Sequence, residues 1–254
     1  MKTKWVSRVL CGLLAAGLLC GFAAPPAEEN ADLVPRQFQT AQQIDRISIE
    51  NKVAVENTVF NVTIRTADTD YITVDYADTT ENPLYTISVE DGLLSIQTTT
   101  DKTSDGRFIK IDGKIVSGLS NCDLVITLPQ KQYQDISVGV TIGTLSVEGV
   151  KAAQLTTKGN INSVKLSGIQ VDQLNASSSA GKVTLRDSQI GGAEINGAVG
   201  DVTVENVTAS GQMNVSSSAG KVILRDSQIG SAEIDGVVGD VTVENVTASG
   251  QIKM

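Results

Sequence analysis

Apolar and polar residues alternate along most of the chain after residue 43, in short runs rich in Val, Ile, Thr and Tyr. Alternation with a period of two is typical of strands that bury one face, and these residue types favour strands. The pattern predicts nine strands before residue 141, at 44–49, 58–65, 71–76, 84–89, 93–98, 107–111, 114–117, 122–128 and 135–140. Asp91-Gly92 and Asp112-Gly113 stand between such runs and predict two-residue hairpin turns.

The remainder of the chain is repetitive. Residues 177–212 match residues 216–251 at 32 of 36 positions, with an offset of 39. Inside that unit lies a shorter repeat of 19 or 20 residues. Self-similarity at a fixed period indicates a solenoid, whose coils stack as parallel strands about 4.8 Å apart. The sequence therefore predicts an all-β fold, with a right-handed parallel β-solenoid over 143–254 that follows a β-strand- and hairpin-rich region over 44–142.

Four sets of aliphatic residues recur in the six predicted coils and are expected to point inward, since a single coil cannot bury its own core. The first strand supplies Leu145, Val164, Val183, Val202, Val222 and Val241, then Val147, Leu166, Leu185, Val204, Leu224 and Val243. A second strand supplies Leu155, Leu174, Ile195, Met213, Ile234 and Ile252, and a turn supplies Val150, Ile169, Ile190, Val207, Ile229 and Val246. Most coils open on a glycine suited to a corner with positive φ or close backbone contact, namely Gly143, Gly181, Gly200, Gly220 and Gly239, with Asn162 in the second coil.

Charged residues change sign from one coil to the next. One outward column contains Lys182, Asp201, Lys221 and Asp240, and another contains Arg186, Glu205, Arg225 and Glu244. Stacked opposite charges attract and like charges repel, so we interpret both columns as structural charge ladders that maintain the register. Charged and neutral residues are also expected to alternate in the columns Glu194, Gln212, Glu233, Gln251 and Asp187, Asn206, Asp226, Asn245. A two-coil unit is the smallest block that duplicates without stacking like charges.

The N-terminal residues predict export. Residues 1–23 combine three cations with an apolar run and end in small residues, which is the layout of a signal peptide cleaved after Ala23. An uncleaved membrane anchor is one alternative. Lipidation at Cys20 is another, although Leu19 occupies a position where a lipoprotein signal has a small residue. Residues 24–43 are rich in Pro, Glu and Gln and predict a flexible tether. We expect an extracellular or envelope-associated protein.

Little in the composition indicates catalysis. The formal net charge of −9, without basic clusters, argues against nucleic acid as a partner. The chain has no histidine, which rules out a Ser-His-Asp arrangement for the serine runs 177–179 and 216–218, so we expect polar turns there. The acidic columns are balanced by cations or amides, and the repeat departs from calcium-binding nonapeptides. Cys122 is expected to be a buried strand residue. We therefore predict no catalytic residue, no cofactor and no metal site.

The segment Ile126-Thr-Leu-Pro-Gln-Lys-Gln-Tyr133, the segment Gly143-Thr-Leu-Ser-Val-Glu-Gly149 and the later Gly-x-Val-x-Leu/Val runs resemble the bacterial putative-adhesin family. The similarity covers residues 44–254 and includes the Asp91-Gly92 hairpin. It implies an envelope-associated β-solenoid with an adhesive role, and some relatives are linked to envelope stress. The family carries no agreed catalytic residues.

The combined expectation is an adhesin-like interaction module of the cell surface whose partner is a surface glycan or protein. Membrane contact is expected only through an uncleaved signal or a lipid anchor. Self-association through the edge of the last coil, near Met254, is a further hypothesis, because unpaired strand edges favour pairing. An envelope-stress regulator and a carbohydrate-active β-helix enzyme are the alternatives.

Overall fold

The computed structural model describes residues 34–50, 60–78, 84–98, 109–111, 114–116 and 122–254, which form β-strands and no helix. The strands before the repeats are β1 (Val34–Thr40), β2 (Arg46–Glu50), β3 (Phe60–Ala67), β4 (Ile72–Asp78), β5 (Tyr85–Glu90), β6 (Leu93–Thr98), β7 (Ile109–Ile111), β8 (Lys114–Val116) and β9 (Cys122–Pro129). The strands of the coils are β10 (Gln132–Glu148), β11 (Lys151–Ser167), β12 (Gln170–Ala180), β13 (Val183–Val199), β14 (Val202–Ala219), β15 (Val222–Arg225), β16 (Gln228–Val238), β17 (Val241–Glu244), β18 (Thr247–Ala248) and β19 (Ile252–Lys253). The predicted all-β solenoid is confirmed.

The alternation pattern located the strands of the N-terminal region well. Strands β2 to β9 and the first part of β10 all overlap predicted strands. The turn between β5 and β6 has positive φ at both Asp91 (49°) and Gly92 (74°), as the hairpin prediction required. The predicted tether is wrong for residues 34–40, because β1 pairs there with β4. The predicted signal peptide, Cys20 and the turn at Asp112-Gly113 lie outside the described residues.

The stack of parallel strands begins before the repeats. Val62 of β3 lies in register between Leu124 of β9 and Leu145 of β10, and Leu145 begins the predicted first column. On the other side of the core, Ile47 of β2 stacks on Ile136 of β10 in the same way. The expected division between residues 142 and 143 therefore falls inside β10, and the inward columns continue across it.

Antiparallel strands cover the N-terminal end of this stack. Strand β4 pairs with β9 and with β1, while β5 pairs with β6. Three aromatic rings pack in this region, with ring centroids 6.5 Å apart for Phe60 and Tyr85 and 5.5 Å apart for Tyr76 and Tyr85. The region accommodates rings because its strands are not constrained to repeat one narrow cross-section.

The first-strand columns have the predicted register. Val183 stacks between Val164 and Val202, and the pairing continues to Val222 and Val241. The predicted corner glycines have positive φ, between 135° and 151°, in Gly143, Gly181, Gly200, Gly220 and Gly239. At Gly200 an added Cβ would lie 2.1 Å from the carbonyl oxygen of Gly181, so successive coils approach each other through bare backbone.

The predicted second-strand column is wrong, because it merges two columns. Leu174 is opposite Ala193, and Ala193 is opposite Met213. Ile195 lies two residues further on, between Ala176 and Val215. Both columns are buried up to the level of Ala232 and Ile234, and the size alternates in the first because an alanine lies between the larger Leu174 and Met213.

The predicted turn column also merges two columns. Ile169 is followed in register by Ser188, whereas Ile190 stacks on Val171. The buried Ser188 donates a hydrogen bond to the carbonyl oxygen of Arg186 and accepts one from the backbone N–H of Ile169 at 3.3 Å. A serine fits this inward position because its hydroxyl satisfies backbone groups at the corner.

One additional residue explains why the unit has 39 residues. Between Ala209 and Met213, β14 has one residue more than the matching segments of β13 and β16. The last coil has the same additional residue, since Ala248 and Ile252 pair with Ile229 and Ala232. An added Cβ on Gly211, within the bulge, would lie 2.6 Å from the carbonyl oxygen of Gly191. Coils of 19 and 20 residues therefore alternate in the duplicated part.

We expect Gly200→Ala to lower the free energy of unfolding by about 2–4 kcal/mol, because the methyl group meets backbone at a residue whose φ is positive. Gly139→Ala is the matched control, since an added Cβ there lies at an ordinary 3.9 Å from the carbonyl oxygen of Ile49. Urea unfolding followed by circular dichroism measures both. Equal stability of the two variants would contradict the close-approach explanation.

Candidate interaction surfaces

The column of arginine and glutamate residues forms a continuous ion-pair chain at its centre. Glu205 lies between two cations, with Oε2 at 2.9 Å from Nε of Arg186 and Oε1 at 2.7 Å from Nη2 of Arg225. Glu244 is the register neighbour of Arg225 on the next level. The Glu205 carboxylate is thus engaged on both sides and is not available as a general acid or base.

The lysine and aspartate column is more exposed and more loosely paired. Nζ of Lys221 lies 4.0 Å from Oδ2 of Asp240, with both side chains more than half exposed. Oδ1 of Asp201 instead accepts a hydrogen bond from the backbone N–H of Lys221 at 3.0 Å. Lys182 occupies the level next to Asp201, because Val183 and Val202 pair directly. These charges connect levels within one chain.

The arginine and glutamate column extends further towards the N-terminus than the sequence indicated. Arg65 of β3 is the register neighbour of Glu148, which is followed by Ser167 and then Arg186. This extension was missed because β3 lies about eighty residues away in the chain and outside the periodic part. Only the strand pairing brings it to this column.

The predicted glutamate and glutamine column is wrong in two members. Glu194 is opposite Asn214, and Asn214 is opposite Glu233, so Gln212 belongs to another column. On the last level Lys253 replaces Gln251, and its Nζ lies 3.3 Å from Oε1 of Glu233. The prediction spaces Glu194 and Gln212 by 18 residues, whereas the paired Glu194 and Asn214 are 20 residues apart, and the bulge at Gly211 contributes one of the two additional residues.

The aspartate and asparagine column lies at a corner of the coils. All four members have a left-handed backbone, with φ between 51° and 53°, a conformation that these residue types tolerate better than most. They are Asp187, Asn206, Asp226 and Asn245. Nδ2 of Asn206 donates to Oδ1 of Asp187 at 2.6 Å, and Asn245 donates to Asp226 at 3.0 Å. Amide and carboxylate therefore alternate as donor and acceptor.

The serine runs are not polar turns, because they lie in strands β12 and β14. Ser178 and Ser217 are buried and face Gly197, which lies between them in the ladder. Oγ of Ser217 donates to the carbonyl oxygen of Gly200 at 3.0 Å. Small residues suit this position because a Cβ on Gly197 would already touch Val202 at 3.0 Å. These serines are packing residues.

A shallow groove of about 300 Å³ lies across three successive coils. We call it the glutamine groove. It is lined by Gln170, Val171, Asp172, Gln189, Ile190, Gly191, Thr208 and Ser210. Gln170, Gln189 and Thr208 stack directly on one another, and the same column continues to Gln228 and Thr247. The groove thus presents amide and hydroxyl groups at the regular spacing of the coils.

A second cleft, of about 350 Å³, lies where the loops at 40–44, 68–70 and 129–131 meet. Its charged lining residues are Asp68, Asp70 and Lys131. Nζ of Lys131 lies 3.2 Å from Oδ1 of Asp45 and 5.0 Å from the ring centroid of Tyr133. Burial, followed by the charge of Asp45, raises the pKa of the Tyr133 phenol above its usual range. The phenol stays neutral and donates to the carbonyl oxygen of Pro129 at 3.2 Å.

The edge of the last coil, where we predicted self-association, consists of β17, β18 and β19. Its aliphatic residues Val241, Val243 and Ile252 pack on the core but are only partly buried, and Met254 is exposed. The described residues bring no three potential metal ligands of the His, Cys, Asp or Glu type together. The same residues include no helix that would serve as a membrane span.

The stacked coils, the engaged charges and the glutamine groove define an all-β solenoid protein with a repetitive side surface. Residues 45–254 match the model of the Toastrack DUF4097 family, so the chain belongs to that family. The family resemblance inferred from the strand and glycine motifs is confirmed.

The solved structures that resemble this chain have low sequence identity to it. A putative adhesin from Bacteroides fragilis NCTC 9343 is 16% identical over 87% of this chain and 96% of its own, with a TM-score of 0.43. A putative lipid binding protein from Parabacteroides distasonis ATCC 8503 is 17% identical over 89% and 98%, with a TM-score of 0.49. A putative cell adhesion protein from Clostridium sporogenes ATCC 15579 is 14% identical over 84% and 100%, with a TM-score of 0.34. No curated protein matches the chain.

We expect Glu205→Gln to destabilise the protein by about 1 kcal/mol, because it removes the carboxylate charge shared by Arg186 and Arg225. Glu244→Gln is the control, since Glu244 has no ion pair within the described part of the chain and has a neighbouring arginine on one side only. Thermal unfolding at low and at high salt tests this. The difference between the variants should shrink as salt screens the pair, and a salt-independent difference would argue against an electrostatic role.

Proposed function

We propose that the protein is an exported interaction module of the cell envelope that binds an uncharged, hydroxyl-rich polymer, such as a surface glycan, in the glutamine groove. The observation that carries this proposal is the ladder of Gln170, Gln189 and Thr208 on three successive levels. A side-chain amide both donates and accepts hydrogen bonds, and so does a hydroxyl, so the groove matches ligands with the same mixed capacity.

The regular spacing favours an extended polymer over a small molecule. Equivalent groups recur about every 4.8 Å along the groove, and an extended chain of repeating units meets several of them at once. Linked contacts of this kind raise the overall affinity even when each contact is weak. The acidic net charge of the chain disfavours polyanions as the partner.

We infer binding without turnover. Glycoside hydrolysis generally requires two carboxyl groups on either side of the scissile bond. Asp172 is the one carboxylate among the residues that line the groove, and the Glu205 carboxylate is held between two arginines on another face. This arrangement favours a binding surface over the alternative of a carbohydrate-active enzyme.

The binding prediction concerns a triple variant of Gln170→Ala, Gln189→Ala and Thr208→Ala. It should lose at least about tenfold in retention on the polymer that the unmodified protein prefers, which corresponds to about 1.4 kcal/mol. Affinity electrophoresis through a panel of neutral and charged polysaccharides provides the measurement.

The matched control changes Ser146, Lys165 and Thr184 to alanine, because these residues occupy three successive levels of the first strand of the coils and do not line the groove. The control should bind like the unmodified protein. Binding only to charged polymers, or equal binding by both triple variants, would refute the assignment to this groove.

Export is tested separately by fractionating a bacterial host that produces the full chain. The mature protein should leave the cytoplasm and begin at Ala24, as read by mass spectrometry of its N-terminus, because residues 1–23 have the layout of a cleaved signal. Substitution of Cys20 by Ser should leave the fractionation unchanged. An intact N-terminus in the cytoplasmic fraction would contradict the proposed location.

A further inference from the structure

A ridge of aliphatic residues, with exposed valines and half-buried alanines, runs along the coil corner that precedes the glycines. Ala180, Val199, Ala219 and Val238 are register neighbours on four successive levels. Val199 is 57% exposed and Val238 is 65% exposed, and Val237 beside it is 70% exposed. Ala219 lies between Val199 and Val238, so the apolar residues form a continuous strip, and contiguous exposed apolar surface is typical of an interaction site.

The lysine and aspartate column runs parallel to this ridge, two residues further along each coil. Each ridge alanine shares its level with a lysine, and each ridge valine shares its level with an aspartate. From one level to the next, a small side chain beside a positive charge therefore alternates with a larger side chain beside a negative charge. Size and charge alternate together because both follow the two-coil unit.

This surface is complementary to itself when one copy is inverted. Reversing the order of levels places Ala180 opposite Val238 of a second copy, and Val199 opposite its Ala219. The same reversal places Lys182 opposite Asp240 and Asp201 opposite Lys221. We propose that this ridge and the adjacent column form an antiparallel two-fold contact between two copies of the chain. Such isologous contacts, in which residue i meets j and j meets i, are the commonest form of oligomer interface.

The alternative side-by-side arrangement lacks this match. Two copies with parallel solenoid axes, related by a two-fold axis along the stack, place Val199 against Val199 and Val238 against Val238. That operation also places the lysine and aspartate column of one copy and the same column of the other copy on opposite sides of the contact, where they do not meet. The antiparallel arrangement is therefore favoured by both packing and electrostatics.

The contact is expected to be weak. Its four levels extend over roughly 14 Å at the spacing of parallel strands. A contact of this length lies at the low end of interface sizes, where association is transient. The dimer fraction should therefore rise with protein concentration and fall with added salt.

Sedimentation velocity of the full-length chain over a concentration series tests the proposal. The unmodified protein should show a reversible monomer–dimer equilibrium. Val199→Ser combined with Val238→Ser should weaken dimerisation at least about tenfold, since the partner's alanines lose their apolar contacts. Tyr71→Ser is the control, because Tyr71 is an exposed aromatic residue directly before β4, far along the chain from the ridge, and should not affect the equilibrium.

A charge reversal separates contacts between copies from contacts within one chain. Lys221→Asp alone places aspartate opposite Asp201 of the partner and should weaken the dimer. Adding Asp201→Lys restores opposite charges between the copies, although it stacks like charges within each chain at two places in the column. The double variant should dimerise better than Lys221→Asp alone, while its melting temperature should lie below that of the unmodified protein.

Several results would overturn the proposal. One is a strict monomer at every concentration. Another is a dimer that the valine substitutions leave intact, which would assign self-association to another surface, such as the edge of the last coil. A third is dimerisation that fails to recover in the double charge variant although that variant is folded by circular dichroism.

Discussion

In-register stacking of backbone on backbone is the constraint on which the rest of this structure depends. Successive coils touch at their glycine corners, where the carbonyl of Gly181 occupies the space in which a side chain on Gly200 would begin. With the corners superimposed, each side chain lies on its counterpart in the coils above and below. Inward positions must then be apolar and of compatible size on every level, and outward positions must avoid like charges. The aliphatic columns and the sign changes are both consequences of this one geometry.

The same constraint explains which parts of the structure could be predicted from the sequence. The first strand follows directly after a glycine corner, so counting from the glycine placed Val183 and Leu185 in their correct columns. The second strand lies beyond a corner, where counting from the glycine no longer gives the register. Ile195 is two residues beyond the position opposite Leu174, and Gln212 is two residues short of the position opposite Glu194, with the bulge at Gly211 adding one of those two residues. Ser188 was missed because a search for aliphatic residues passes over a polar residue that satisfies backbone groups at a corner. The stacking of Arg65 on Glu148 is a tertiary contact with no periodic signal.

The groups available for recognition were only partly visible in the sequence. The interpretation of the charged residues as ladders suggested that a partner would meet other faces, but it did not identify which face. The glutamine groove became recognisable once the register placed Gln170, Gln189 and Thr208 on consecutive levels. Glutamine and threonine are common on any surface, so their spacing alone indicates nothing until the coil geometry is known. The ridge of Ala180 and Val199 was likewise hidden, because a residue at a corner fits neither strand face.

The alternation of a 19-residue and a 20-residue coil has a consequence for how the gene can change length. Recombination between the two nearly identical segments adds or removes 39 codons at a time, and that unit contains one coil of each kind. The product keeps the bulge in phase, keeps each lysine beside an aspartate, and moves the downstream coils along the axis by about 10 Å per unit. A gain or loss of a single coil would instead bring equal charges together and place two bulged coils, or two unbulged ones, next to each other. We therefore expect length variants of this protein to differ by an even number of coils. Each added pair of coils would lengthen the solenoid.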